Sequence, residues 1–165
     1  MATRRIQEFL DGNHAHYIQI RHSTAYSASE VAESVRISGR ILAKVVIVVI
    51  NDQLAMAVVP ATRDVDLDVL QRVTGMEDVH LADEAEFVDR FQGCQLGTAP
   101  PFGNLFGLDT FVDAELLQHS HIAFSAGTHR DVIAMNTDDY RRLAQPRVAY
   151  IGAEPRHQRL EAMSI

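Results

Sequence analysis

The chain has 165 residues, 47% of them hydrophobic and 22% charged, which fits one globular domain with a sizeable core and argues against disorder. Its net charge of −7 is uneven: residues 6–140 carry 8 basic and 20 acidic side chains, whereas residues 141–159 set five arginines against Glu154 alone. That balance argues against a broad duplex-binding face and leaves contact with a short nucleic-acid end through the arginine-rich C-terminal stretch. No apolar run approaches the ~18 residues of a transmembrane helix, no signal region follows Arg4 and Arg5, and the single cysteine, Cys94, cannot pair within the chain. A cytoplasmic location is the expectation.

In chain order, residues 3–10 form a short helix with Ile6, Phe9 and Leu10 on one side, and HYIQIRH reads as a strand. In SASEVAESV, Ser27 and Glu30 have capping-box spacing ahead of Val31, Ala32 and Val35, with Gly39 closing the element. Strands KVVIVVI and LAMAVV flank Asn51-Asp52-Gln53, a hairpin turn. Asp66 caps a helix bearing Leu67, Leu70 and Val73 that Gly75 stops, and Asp83 with Glu86 caps another reaching about Phe91. After the loop GTAPPFGNLFG come a strand around 110–112, a helical turn near Glu115, strands IAFSA and VIAM, and a helix from Thr137 ended by Pro146. Irregular alternation with a hairpin predicts an α+β, or mixed α/β, domain around a curved sheet. Neither GxGxxG nor GxxxxGK[ST] is present, so no dinucleotide or nucleoside-triphosphate fingerprint exists.

Four places bear chemistry. Lys44 is the only lysine among 15 basic residues, and it opens the run Val45–Ile50. Alternation puts Lys44, Val46, Val48 and Ile50 on one face and Val45, Ile47 and Val49 on the other, both covered. An ammonium there either escapes to water or meets an acceptor, and lysine titrates and rotates its donors as arginine does not. In the loop, Pro100 and Pro101 stiffen the backbone, while Gly97, Gly103 and Gly107 allow positive φ or close ligand approach, and free N–H groups there can take a carbonyl or phosphate oxygen. Gly127, Thr128 and His129 mark a break between two apolar runs. The pairs His14/His16 and His119/His121, with His22, lack a Cys or carboxylate to complete a zinc set, so no metal is expected. Cys94 reads as an ordinary thiol, without a local histidine partner.

Taken together, His22 with TAYSASEVA, then GRILAKVVIV, LAMAVVPATRDVDLDVL, GTAPPFGNLFGLDTFVD and FSAGTHRDVIAM resemble the YbaK/EbsC family over about residues 14–145. These are free-standing relatives of the editing domain inserted in bacterial prolyl-tRNA synthetases. The resemblance implies a single barrel-like mixed α/β domain at residues 1–147, leaving 148–165 as an arginine-containing tail. It implies hydrolysis of the ester of mischarged aminoacyl-tRNA, especially tRNA(Pro) carrying alanine or cysteine, without a cofactor. Partners implied are the aminoacyl-tRNA acceptor end and prolyl-tRNA synthetase, with no membrane; the oligomeric state stays open. Lys44 then matches the family's essential lysine and is the candidate catalytic residue, orienting and stabilising the ester together with backbone N–H groups near Gly97. Gly97, Thr98, Ala99, Pro100 and Pro101 match the substrate-cradling loop. Phe102 and Gly103 extend that loop, and His22, Gly127 and His129 complete the candidate substrate-binding set. Many members have a small hydroxyl residue after the lysine; here it is Val45. A non-catalytic aminoacyl- or nucleotide-binding module on the same fold, and a hydrolase of a small non-tRNA ester, are the rival readings.

Overall fold

The computed structural model describes residues 2–22, 28, 31, 32 and 37–155. Helix α1, Ala2–Gly12, packs Ile6 and Leu10 inward. Strand β1, Tyr17–Arg21, follows; most of the helix expected at residues 27–35 lies outside the described residues. Strands β2, Ala43–Ile50, and β3, Gln53–Pro60, form the expected hairpin, in register from Ala43 against Pro60 to Ile50 against Gln53. Asn51 and Asp52, at φ 47° and 67°, supply the two left-handed residues that a tight turn matched to the strand twist requires.

Past the two-residue strand β4, Asp64–Val65, helix α2, Leu67–Thr74, begins where the Asp66 carboxylate accepts the N–H groups of Asp68 and Val69. It ends at Gly75, whose φ of 70° suits a residue without Cβ. Strand β5, Val79–Leu81, leads to helix α3, Glu84–Phe87, where Glu86 Oε2 accepts the Asp83 N–H at 2.8 Å. A 3₁₀ turn, Val88–Phe91, continues it. After the long loop come β6, Asp109–Asp113, β7, His121–Ser125, and β8, Asp131–Asn136. Helix α4, Thr137–Ala144, is capped by Asn136 and is followed by β9, Arg147–Ala149, and β10, Gly152–Ala153.

Among the described residues the strands make two main sheets and one small pair, and they do not close into a barrel. The larger sheet has the order β5-β2-β3-β6-β9, the smaller β1-β8-β7, and β10 pairs with β4. The main sheets meet where Leu42, just ahead of β2, bridges Ala123 of β7. One face of the larger sheet offers Ile47, Met56, Val58 and Val112 to α1, α4 and the smaller sheet; the other offers Val48, Ala57, Val59 and Phe111 to Leu70 and Ile151. Both faces of β2 are therefore covered, as its unbroken apolar run requires. The result is the expected α+β domain. Arg147–Ala153 adds one strand to each of two sheets, since Val148 pairs with Val112 and Gly152 with Val65, and all of it but Arg147 was read from sequence as the start of a tail. Among the described residues no helix is long and apolar enough to cross a membrane.

Candidate active site

Three hydrogen bonds lace the glycine loop to the turn between β7 and β8. The Gln95 N–H donates to the Gly127 carbonyl at 2.9 Å, and the Gly127 N–H to the Thr98 carbonyl at 2.8 Å. The His129 N–H donates to Gln95 Oε1 at 2.7 Å. Thr98 is buried and turns its hydroxyl back onto the Gln95 carbonyl at 2.5 Å. Gly127 takes φ 93°, and Asp131 braces that turn by accepting from the Thr128 hydroxyl at 2.6 Å. The His22 N–H reaches the same turn, donating to the Arg130 carbonyl at 2.8 Å. Three separate parts of the sequence, His22, Gln95–Thr98 and Gly127–Asp131, are thus joined at one place.

Further along, the loop enters the core. The Pro101 carbonyl accepts from the fully buried Tyr140 hydroxyl at 2.8 Å. The Phe102 ring meets Phe9, Phe124 and Tyr140 edge-on at centroid distances of 5.6, 5.6 and 5.1 Å. Gly103 donates to Thr110 Oγ1, and a Cβ there would lie 2.6 Å from the Leu108 carbonyl oxygen, so no side chain fits. Pro100, Pro101, Phe102 and Gly103 are buried anchors. Gly97 and Ala99 are the loop residues that open onto a cavity.

That cavity has a volume of about 200 Å³ and is lined by Val45 and Ile47 of β2, Glu84, Phe87, Val88 and Phe91 of α3 and its extension, and Cys94–Gly97 with Ala99. Its wall is built by strand alternation: Val45 and Ile47 share the face turned to the loop. Phe87 and Phe91, one helical turn apart, stack edge-on at 6.0 Å. Gly97 adopts φ 80°, and among the described residues nothing accepts from the N–H of Gly97 or Ala99. Two unpaired donors beside an apolar hollow can hold a carbonyl oxygen. Burial pushes the Cys94 thiol up, with the Arg5 charge opposing weakly, which keeps the sulfur protonated and a poor nucleophile.

Lys44 is elsewhere. It shares the face of Val46 and Val48, opposite the cavity, and its Nζ contacts Asp64 Oδ1 of β4 at 3.0 Å. Both side chains are partly exposed, 29% and 44%, so the pair adds little stability. Lys44 and the Gly97 loop, paired by sequence reasoning as one constellation, stand on opposite faces of β2. Sequence reasoning singled out Val45, Cys94, Gly97 and Ala99 but missed the Glu84–Phe91 side of the cavity wall, of which the i, i+4 spacing of Phe87 and Phe91 was a visible trace. Of the histidines, His14 sits at φ 60° ahead of β1, and His16 and His121 line a separate open depression with Tyr17 and Ile18. Among the described residues no three His, Cys, Asp or Glu side chains converge as a metal set.

Comparison with known proteins agrees with this geometry. The sequence pattern of the aminoacyl-tRNA editing domain matches residues 22–143. The multifunctional Ser/Thr-tRNA deacylase ProXp-y of Escherichia coli is 35% identical over 96 residues, which is 58% of this chain and 57% of that protein. The chain thus spans little more than half of that relative's length. By fold, it is similar to the crystal structure of a putative trans-editing enzyme for prolyl tRNA synthetase, with a TM-score of 0.77, 23% identity, and 92% and 97% of the two chains covered. A hypothetical protein of known structure has a TM-score of 0.81 at 18% identity, with 90% and 99% covered. With its loop, its turn and its cavity wall inside the matched span, the chain belongs to the aminoacyl-tRNA editing domain family.

Proposed function

We propose that the chain is a trans-acting aminoacyl-tRNA deacylase whose cavity receives the amino acid of a mischarged tRNA, with tRNA(Pro) carrying alanine or cysteine as the preferred class. The observation that carries this reading is the apolar cavity edged by the unpaired Gly97 and Ala99 N–H groups, in a chain of the editing family. Water, or a ribose hydroxyl assisting it, adds to the ester carbonyl; the oxygen turns anionic and is met by those N–H groups. Collapse breaks the acyl–ribose bond, the ribose oxygen takes a proton, and free amino acid leaves. A protein nucleophile is unnecessary, which suits the protonated Cys94.

Wall chemistry supports the choice of amino acid. Val45 stands where many YbaK-like chains carry a hydroxyl, and it lines the cavity with Ile47, Phe87 and Phe91. Such a surface gives serine or threonine hydroxyls few partners, at a discrimination of only ~1–3 kcal/mol. The Escherichia coli relative is named for Ser/Thr-tRNA instead. Lys44 acts outside the cavity, exchanging Asp64 for a phosphate of the acceptor end. Prolyl-tRNA synthetase, which would charge the substrate, is the partner this reading implies.

The test is deacylation of tRNAs charged with alanine, cysteine, serine, threonine and proline, by wild type and Lys44→Ala across a salt series. Hydrolysis of alanyl or cysteinyl ester supports the reading; a full panel left intact overturns it in favour of a binding module. Lys44→Ala should raise KM and flatten the log–log salt slope by about one unit, as loss of one phosphate contact does. A fall in kcat at constant KM would instead put the ammonium on the ester.

A further inference from the structure

We propose that Glu84 recognises the free α-ammonium group of the aminoacyl ester, so that the cavity selects an amino acid with its amine uncapped. The proposal rests on the deacylase reading above and names the feature by which that site identifies its substrate class.

Apart from Cys94, whose thiol burial keeps neutral, the polar side chains on the cavity wall are Glu84 and Gln95. Gln95 is already engaged, since its Oε1 receives the His129 N–H at 2.7 Å. Among the described residues the Glu84 carboxylate has no hydrogen-bond or ion-pair partner, whereas its neighbour Glu86 is held by the Asp83 N–H. The remaining wall is Val45, Ile47, Phe87, Val88, Phe91 and Leu96. One exposed carboxylate at the rim of an apolar hollow fits a small cation whose remainder is apolar. The hollow excludes water once filled, and a charge pair beside it is screened less than one in bulk solvent.

The acyl end of an aminoacyl ester has that composition: an ammonium, a short side chain and a carbonyl. Glu84 takes the first, the apolar wall the second, and the Gly97 and Ala99 N–H groups the third. A divalent cation is a poor match, because it needs six or more oxygens or a converging ligand set, and no three such side chains converge among the described residues.

The experiment uses 3′-deoxy-3′-(L-alanylamino)adenosine, whose amide resists hydrolysis, and its N-acetyl counterpart, titrated into wild type and Glu84→Gln. Wild type should bind the free amine about tenfold more tightly than the acetylated form, and the variant should bind both alike, a difference typical of a charge-assisted hydrogen bond. Glu84 is exposed, so the variant should keep the wild-type Tm, which checks its fold. A preference that is the same in both proteins, or absent in wild type, overturns the assignment. Deacylation of the charged-tRNA panel is measured alongside. Amine selectivity dependent on Glu84 without ester hydrolysis would defeat the deacylase reading and leave this one standing. Hydrolysis with selectivity indifferent to Glu84 would do the reverse.

Discussion

Tyr140 lies with its whole side chain buried, and its hydroxyl donates to the Pro101 carbonyl. Desolvation pushes that hydroxyl well above the usual tyrosine range, so it stays a donor at any pH the fold survives. Tyr140→Phe keeps the ring against Phe102 but strands a buried carbonyl, at a cost of about 1–3 kcal/mol by urea unfolding. Deacylation should fall with it, because Pro101 is the inner anchor of the loop that carries Gly97 and Ala99. Val45 sits at the other wall, and Val45→Thr is nearly isosteric while adding a hydroxyl. We expect the ratio of seryl to alanyl deacylation to rise severalfold in that variant, within the ~1–3 kcal/mol that a small pocket change can deliver. An unchanged ratio would take the side chain of the amino acid out of contact with β2. Val45 stood out in the sequence as the residue after the lysine, where many family members carry a hydroxyl, whereas Tyr140 did not advertise its role. A tyrosine in DDYRRLA and a valine in an apolar run acquire these roles only through partners 39 positions away and on another element.

Helices α2 and α4 were legible at element scale because their signals are local. Asp66 and Asn136 each accept two backbone N–H groups of the following turn, and Gly75 closes α2 in the left-handed region. Asp66→Ala should cost about 1 kcal/mol by denaturant titration, through α2 and the Leu70 contact it brings to the second apolar cluster. The β2–β3 hairpin was equally legible, with two apolar runs either side of Asn-Asp-Gln. Strands β4, β5, β9 and β10 were not. Each has two or three residues, too few to show a period of two, and each exists because a longer strand or its neighbour offers unpaired backbone groups.

Across the whole molecule, the C-terminal strands close over a buried carboxylate. Asp113, 1% exposed at the end of β6, accepts from the Glu115 N–H, and a Cβ on Gly152 of β10 would lie 2.3 Å from its Oδ2. Burial raises its carboxyl above the usual carboxylate range; the N–H groups of Glu115 and Gly152 and the Arg63 charge pull the other way, and the Glu115 charge adds to the rise. A carboxyl whose folded pKa exceeds its unfolded one costs nothing below the unfolded value, about 4, and destabilises as pH climbs through the folded value. The stability of Asp113→Asn relative to wild type should therefore increase from about pH 4 towards neutrality, whatever constant offset the altered hydrogen bonds add. A relative stability that stays flat or declines over that range would show the carboxyl unperturbed. The measurement is urea unfolding of both proteins at stepped pH.

By itself the sequence determined the longer elements, the hairpin, the caps at Asp66 and Asp83, the burial of both faces of β2 and, through ordered motifs, the family. Each of these is written in neighbouring residues or in a linear pattern. Tertiary structure alone decided that β3 runs parallel to β6, that Arg147–Ala153 completes two sheets, and that the glycine loop is tied to the Gly127–His129 turn. It also decided that Lys44 faces Asp64 while Val45, Glu84 and Phe87 shape the cavity. The physical reason is common to all of them. Strand pairing and cavity walls join side chains whose separation along the chain carries no periodic signal, and only packing of the sheets against the helices selects which of them meet.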